Sequence, residues 1–391
     1  MTRPQRLRNP QPVTRNATPA RFPGLNGLRF FAAIAVVCSH VELLKGYNGF
    51  PNAYENVVVY EVGRLAVTFF FVLSGFLITW LLLEERRETG TIAVKKFYVR
   101  RILRIWPLYY ATVLLAFFLF PHIAVLTMPK MAPAADVAKT FPLFALFLPQ
   151  LALSLYPPVA FAEPAWSIGV EEQFYLLWPV LMKRMRSFVT LALVVIGVAL
   201  AARYGALAIA KANRADAVRL RFWNEVIDYL YFTRIECMAI GGLFAWLHFA
   251  RRERLLRFLY SRWTQTIVYT LTIWRMVTPG DKPIFSYGLY AIAFGMLILN
   301  VAGNERSLLR LRARPFEFLG NISFSIYMLH EPAIQLVLRV TGDRNAALYA
   351  GSLALTIAFA TASYFFIERP FLRWKSRYEI VRTSRVSSQP P

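Results

Sequence analysis

From Ala66 to Leu83 the chain reads AVTFFFVLSGFLITWLLL, eighteen residues without a charge. A helix of that length spans most of a bilayer's hydrocarbon core, and in lipid a backbone can cross only as a helix or a closed barrel. Comparable apolar runs recur along the chain. Spans are expected at 28–44, 66–83, 105–120, 172–182, 188–204, 229–249, 264–278, 284–301, 318–338 and 346–367. The fold class expected is therefore all-α, a polytopic integral-membrane bundle of about ten transmembrane helices. Composition agrees: only 17% of residues are charged, where a soluble domain carries nearer a quarter. Segment 141–153 is apolar but bounded by proline and too short to cross. Cys38 and Cys237 show no metal-ligand or disulfide spacing, and no metal is expected.

A formal charge of +23 in a soluble protein would suggest nucleic acid. Ten crossings give a different account. The tails and the loops on their side hold 31 of the 45 Lys and Arg, and the opposite loops hold 13. By the positive-inside rule both termini face the cytoplasm. No nucleic-acid partner is expected, because no basic stretch is interleaved with a recognition fold. Residues 1–24 are basic, Pro-rich and lack an apolar core, so they are expected to be a disordered cytoplasmic tail. The expected division is that tail, a membrane domain over 25–374, and a C-terminal cytoplasmic tail over 375–391.

Four polar stretches resist an explanation by composition. In RFFAAIAVVCSH, Arg29 and His40 lie eleven residues apart, which is close to three helical turns. They share one helix face about 16 Å apart along the axis. Singly, one is a positive-inside anchor and the other an interfacial residue. Together they point to a polar path, and histidine is the usual general base near neutral pH. In KKFYVRRILRIWP, residues 95–107, Arg101 and Arg104 form an i, i+3 pair at a membrane mouth. Guanidinium forks there suit phosphate clamping, but anionic lipid attracts any cytoplasmic basic segment, and the residues alone favour that plainer reading. In EPAWSIGVEEQFYLLWP, residues 163–179, Glu171 and Glu172 directly precede an apolar run, so at least one faces inward. In NISFSIYMLHEP, residues 321–332, His330 and Glu331 stand beside Pro332, which removes a backbone donor. Arg234 is a further intramembrane cation. Glu236 does not share its face, so any pairing is with other spans. There is no P-loop, no His-x-x-x-His, no Gly-x-Ser-x-Gly and no matched pair of transporter-type half-helices.

Taken in order, these stretches resemble the acyltransferase 3 family of bacterial integral-membrane O-acyltransferases, from about residue 25 to 374. The resemblance is carried by GLNGLRFFAAIAVVCSH at 24–40, FFFVLSGFLIT at 69–79, RILR at 101–104, WSIGVEEQFY at 166–175, YMLHEP at 327–332 and IERP at 367–370. It implies transfer of an acyl group, often acetyl, from a coenzyme A thioester to a hydroxyl of a glycan or other acceptor, in the bacterial cytoplasmic membrane. No permanently bound cofactor is implied, acyl-CoA being a substrate. On that resemblance His40 is the expected base, with Glu171 or Glu172 orienting it or binding sugar hydroxyls. Arg29, Arg101 and Arg104 are expected at the coenzyme A site. Ser74, Trp166, Tyr175, His330 and Glu331 are expected along the substrate path. Some relatives carry a fused esterase-like domain; only 17 residues follow Trp374, so none is expected here. The competing expectation is a transporter or flippase of a polar lipid-linked substrate, which also needs charged groups within the membrane.

Overall fold

A computed structural model of the chain describes residue 22 and residues 24–131, 136–278 and 286–379. Most of the two expected tails lies outside these residues. The described chain forms helices and no strands. In order they are α1 (Leu25–Tyr47), α2 (Val57–Thr89), α3 (Val94–Leu114), α4 (Val137–Ala145), α5 (Pro149–Leu155), α6 (Ala165–Arg184), α7 (Phe188–Ala212) and α8 (Ala217–Phe232). There follow α9 (Ile235–Phe249), α10 (Glu253–Tyr260), α11 (Arg262–Val277), α12 (Ser286–Gly303), α13 (Arg314–Asn321), α14 (Ser323–Thr341), α15 (Asn345–Ser363) and α16 (Arg369–Lys375). Side-chain caps start several of them: Asn56 accepts from the Val58 amide ahead of α2, and Asp216 from Val218 and Arg219 ahead of α8.

Every expected span overlaps a helix, two of them (229–249 and 318–338) across a break, but among the described residues six segments are long and apolar enough to cross a membrane by themselves: 25–47, 57–89, 94–122, 188–212, 217–249 and 345–378. The remaining expected spans fall on α6, α11, α12 and α14. The physical reason is visible in each. α6 carries Glu171, Glu172, Lys183 and Arg184 within twenty residues, α14 carries His330, Glu331 and Arg339, α11 is only 16 residues long, and α12 is apolar but short, over Tyr287–Gly303. Segment 141–153 breaks into the two short helices α4 and α5, turned at Phe147 with a positive φ of 57°.

α2 is the central post. Of its apolar window 78% is buried within the protein, against 17% for α7 and 22% for the segment that includes α15, which lie outside. It packs on α1, α9 and α12. Its contact with α9 is backbone on backbone: a Cβ on Gly75 would meet the Met238 carbonyl at 1.9 Å, and one on Gly241 the Val72 carbonyl at 2.0 Å.

α1 joins two apolar clusters. Leu25, Leu28 and Val36 belong to the larger one around α2; Ala33, Val37, Val41 and Leu44 belong to a second one with α14 and α15. Arg29 and His40 therefore sit on the helix that divides the interior. α8 and α9 form one interrupted segment, broken at Thr233 and Arg234. The Arg234 guanidinium fills the break, donating to the Tyr231 and Arg64 carbonyls and to Thr68, and stacking 3.7 Å over the Tyr287 ring. Glu236 pairs instead with Arg203 of α7, at 2.8 Å.

Candidate functional site

A cavity opens between α1, α2, α3, α6 and α14. It encloses about 770 Å³, with the open mouth and its solvent included. Arg29, Arg101 and Arg104 line it together with Ser74, Glu171, Tyr175, Ser167 and Tyr327. The local sequence explains the convergence. The i, i+3 spacing puts Arg101 and Arg104 on one face of α3, and the i, i+4 spacing puts Glu171 and Tyr175 on one face of α6. Ser74 donates to one Glu171 oxygen at 2.8 Å and Tyr175 donates to the other at 2.7 Å. The carboxylate is thus fixed.

Among the described residues none of the three arginines has an ion-pair partner within salt-bridge distance. The Arg101 Nε is buried without a hydrogen bond, its guanidinium lying 5.4 Å from the Tyr175 ring centre. Arg29 reaches only Asn26, at 3.4 Å. Three cations around one carboxylate leave donors and positive charge for an anion. Guanidinium forks bind phosphate, like carboxylate, two N–H groups at a time.

A second polar group lies where α1 meets α14. His40 Nδ1 is 2.9 Å from His330 Nε2 and 3.2 Å from a Glu331 oxygen. His330 Nδ1 is 2.7 Å from the Tyr327 carbonyl. A carbonyl only accepts, so His330 Nδ1 carries a proton, and in the neutral ring Nε2 is left as an acceptor. His40 Nδ1 must then donate to it, sharing its proton with Glu331. The free nitrogen of His40 is therefore Nε2, with a lone pair. A histidine anchored through Nδ1–H to a carboxylate with Nε2 open has the arrangement of a general base.

Tyr327 ties the two groups together. Its ring lines the cavity, its hydroxyl donates to the Pro164 carbonyl at 3.1 Å and accepts from Ser167 at 2.8 Å, and its carbonyl holds His330. The loop before α6 thereby dips to the level of the histidines. Burial, reinforced by Glu331 and opposed by His40, pushes the Glu163 carboxyl in that loop up to about 7.

The structure brings together most of the expected residues, with two regroupings. Glu171 and Glu172 do not contact His40. They lie two turns into α6: Glu171 faces Ser74 of α2, and Glu172 faces the other way and accepts from the Trp106 indole at 3.0 Å. Glu331 and His330, expected along the substrate path, hold the imidazole instead. Trp166 lies off the cavity lining, packed edge-on against Phe71 and Phe232 and under Arg234. Ser167 and Tyr327 line the cavity though sequence reasoning did not single them out; both stand inside motifs that it did. Glu368, from IERP, accepts from Ser325.

Residues 22–365 match a family model described as the acyltransferase domain. Among curated proteins, O-acetyltransferase OatA of Staphylococcus aureus (strain NCTC 8325 / PS 47) is 28% identical over 376 residues, covering 90% of this chain and 57% of that protein. A putative O-acetyltransferase, SAR0937, of Staphylococcus aureus (strain MRSA252) is 25% identical over 382 residues, covering 91% of this chain and 59% of that protein. The chain thus spans less than two thirds of the length of these relatives. No solved structure matches.

Proposed function

The chain belongs to the acyltransferase family, and from that premise we propose that it is a membrane O-acetyltransferase moving an acetyl group from acetyl-CoA to a hydroxyl of a cell-envelope glycan. The observation that carries this reading is the Nε2 of His40, left open by the hold of Glu331 and His330, and linked through His330 and Tyr327 to a cavity whose three arginines have no ion-pair partner among the described residues. The names of the relatives support acetyl as the group transferred. The excess of cations on the side of the tails supports entry of the donor from the cytoplasm, in a bacterial cytoplasmic membrane.

On this reading Arg29, Arg101 and Arg104 hold coenzyme A phosphates and the thioester reaches past Tyr327 towards α1. The acceptor hydroxyl is a weak nucleophile until a base takes its proton. His40 Nε2 accepts that proton as the hydroxyl oxygen attacks the thioester carbonyl. The carbon–sulfur bond breaks, and the imidazolium returns the proton to the leaving thiolate. Glu331 stabilises the transient positive charge across Nδ1–H.

The test is acyl-CoA turnover by purified protein in detergent. Free coenzyme A is followed with a thiol dye, and labelled acetyl is followed onto a glycan fraction. Turnover that disappears with His40→Ala is expected. A protein that releases no coenzyme A yet moves a lipid-linked substrate between leaflets would be a transporter, and the proposal would fall.

A further inference from the structure

We infer that His40, His330 and Glu331 form a binding site for a divalent transition metal, zinc foremost, and that occupancy of this site switches off the base. The metal site itself rests on geometry alone; the switch rests on the function proposed above.

One ligand atom from each of the three residues lies within 4.8 Å of the others. The two shorter separations are 2.9 and 3.2 Å. Zinc bonds of about 2.0–2.2 Å in a tetrahedron set ligand atoms roughly 3.3–3.5 Å apart. Admitting the ion asks the His330–Glu331 separation to close from at most 4.8 Å by side-chain rotation, while the other two open by a few tenths of an ångström. His330 is already oriented as a ligand: its other nitrogen donates to a backbone carbonyl, the support that metal-bound histidines ordinarily have. Two imidazoles and one carboxylate favour zinc, cobalt or copper over magnesium and calcium. Three protein ligands leave a fourth position for water. The His40 side chain is 19% exposed and that of Glu331 4%, so the ion would come in on the His40 side. Sequence spacing could not announce this site, because its histidines are 290 positions apart.

The consequence for catalysis follows from proton counting. Without metal, the one ring proton of neutral His40 is on Nδ1 and the Nε2 lone pair is free. A metal takes the Nδ1 lone pair, so that proton must move to Nε2. The ring then has no lone pair for the acceptor hydroxyl. Inhibition thus comes from the opposite side of the ring and leaves the arginine cavity untouched. Zinc should lower kcat and leave the KM for acyl-CoA where it was.

Binding is read on the purified full chain by competition with a zinc-chelating dye and by the visible absorption of added Co²⁺. One equivalent is expected. His330→Gln and Glu331→Gln should each weaken it by about tenfold or more. Acyl-CoA turnover in zinc buffers should fall at the same midpoint and return with EDTA. Zinc binding equal in wild type and in a folded His330→Gln protein would overturn the site. Should neither variant fold, the wild type decides alone: no tetrahedral Co²⁺ band overturns it. Stoichiometric binding with unchanged kcat, or with a raised acyl-CoA KM, would overturn the switch. A protein without acyltransferase activity would defeat the reading above, and the dye and cobalt signals would still decide the metal site.

Discussion

At the scale of the residue, the interval from Arg29 to His40 was legible because helix geometry is local. Three turns put both on one face, and the structure uses both ends of that face, Arg29 in the cavity and His40 at the junction with α14. The partner of His40 was not legible. Periodicity relates residues within one helix, whereas His330 and Glu331 come from nearly 300 positions away. The signal available was density: 321–332 sets two serines, a tyrosine, a histidine and a glutamate within twelve residues. Two expectations follow from the observed pairing. Loss of a general base typically costs about 10² to 10⁴-fold, so His40→Ala should lower turnover by that order with thermal stability near wild type. Glu331→Gln keeps the shape but removes the charge opposite the imidazolium. A charge-assisted hydrogen bond is worth about 1.5–3 kcal/mol, or roughly 10 to 150-fold in rate. Groups that act as a unit are not additive, so the double variant should be no slower than His40→Ala alone. Additive losses would show that Glu331 works independently of the base.

At the scale of the element, the sequence located the helices well and their interruptions poorly. The break at Thr233–Arg234 lies within an apolar run, and no proline or glycine stands there to announce it. What makes it tolerable is Arg234, whose guanidinium takes up the Tyr231 carbonyl at the break and ties the break to α2 through the Arg64 carbonyl and Thr68. The arginine pair of α3 was legible, since i, i+3 spacing decides its face. Arg101→Ala and Arg104→Ala should each raise the KM for acyl-CoA about tenfold or more, the cost of one charge-assisted contact, with the KM for acceptor nearly constant. An unchanged acyl-CoA dependence would return the pair to anchoring lipid. The contact of α2 with α9 was hidden, because a glycine within a span says nothing about which helix it touches. Gly75→Ala places a methyl 1.9 Å from a backbone oxygen, which no side-chain rotation relieves. Overpacking costs about 1–3 kcal/mol, so its melting temperature in detergent should fall clearly below wild type. Gly197→Ala, on α7 with nothing within 4 Å, is the control and should not lower it. Equal melting of the two variants would mean that α2 and α9 separate readily.

At the scale of the whole molecule, what matters is which face meets which substrate. The orientation proposed rests on charge: with ten crossings, 31 of the 45 cationic residues fall in the tails and in the loops on their side. The cavity arginines come from the first half of α3 and from the first turns of α1, while His40 lies about 16 Å further along α1. If the positive-inside rule holds, donor and acceptor enter from opposite faces and meet between Tyr327 and His40. Single cysteines test this after Cys38 and Cys237 are replaced. Glu55 and Asp343 are exposed at turns on the His40 side; Glu88 and Ser376 are exposed on the arginine side. With a membrane-impermeant thiol reagent, Glu55→Cys and Asp343→Cys should label in intact cells, and Glu88→Cys and Ser376→Cys only after lysis. Labelling of Glu88→Cys in intact cells would invert the bundle. The arginine cavity would then face away from the compartment in which acyl-CoA is made, and His40 could not receive its acyl group by the route drawn here.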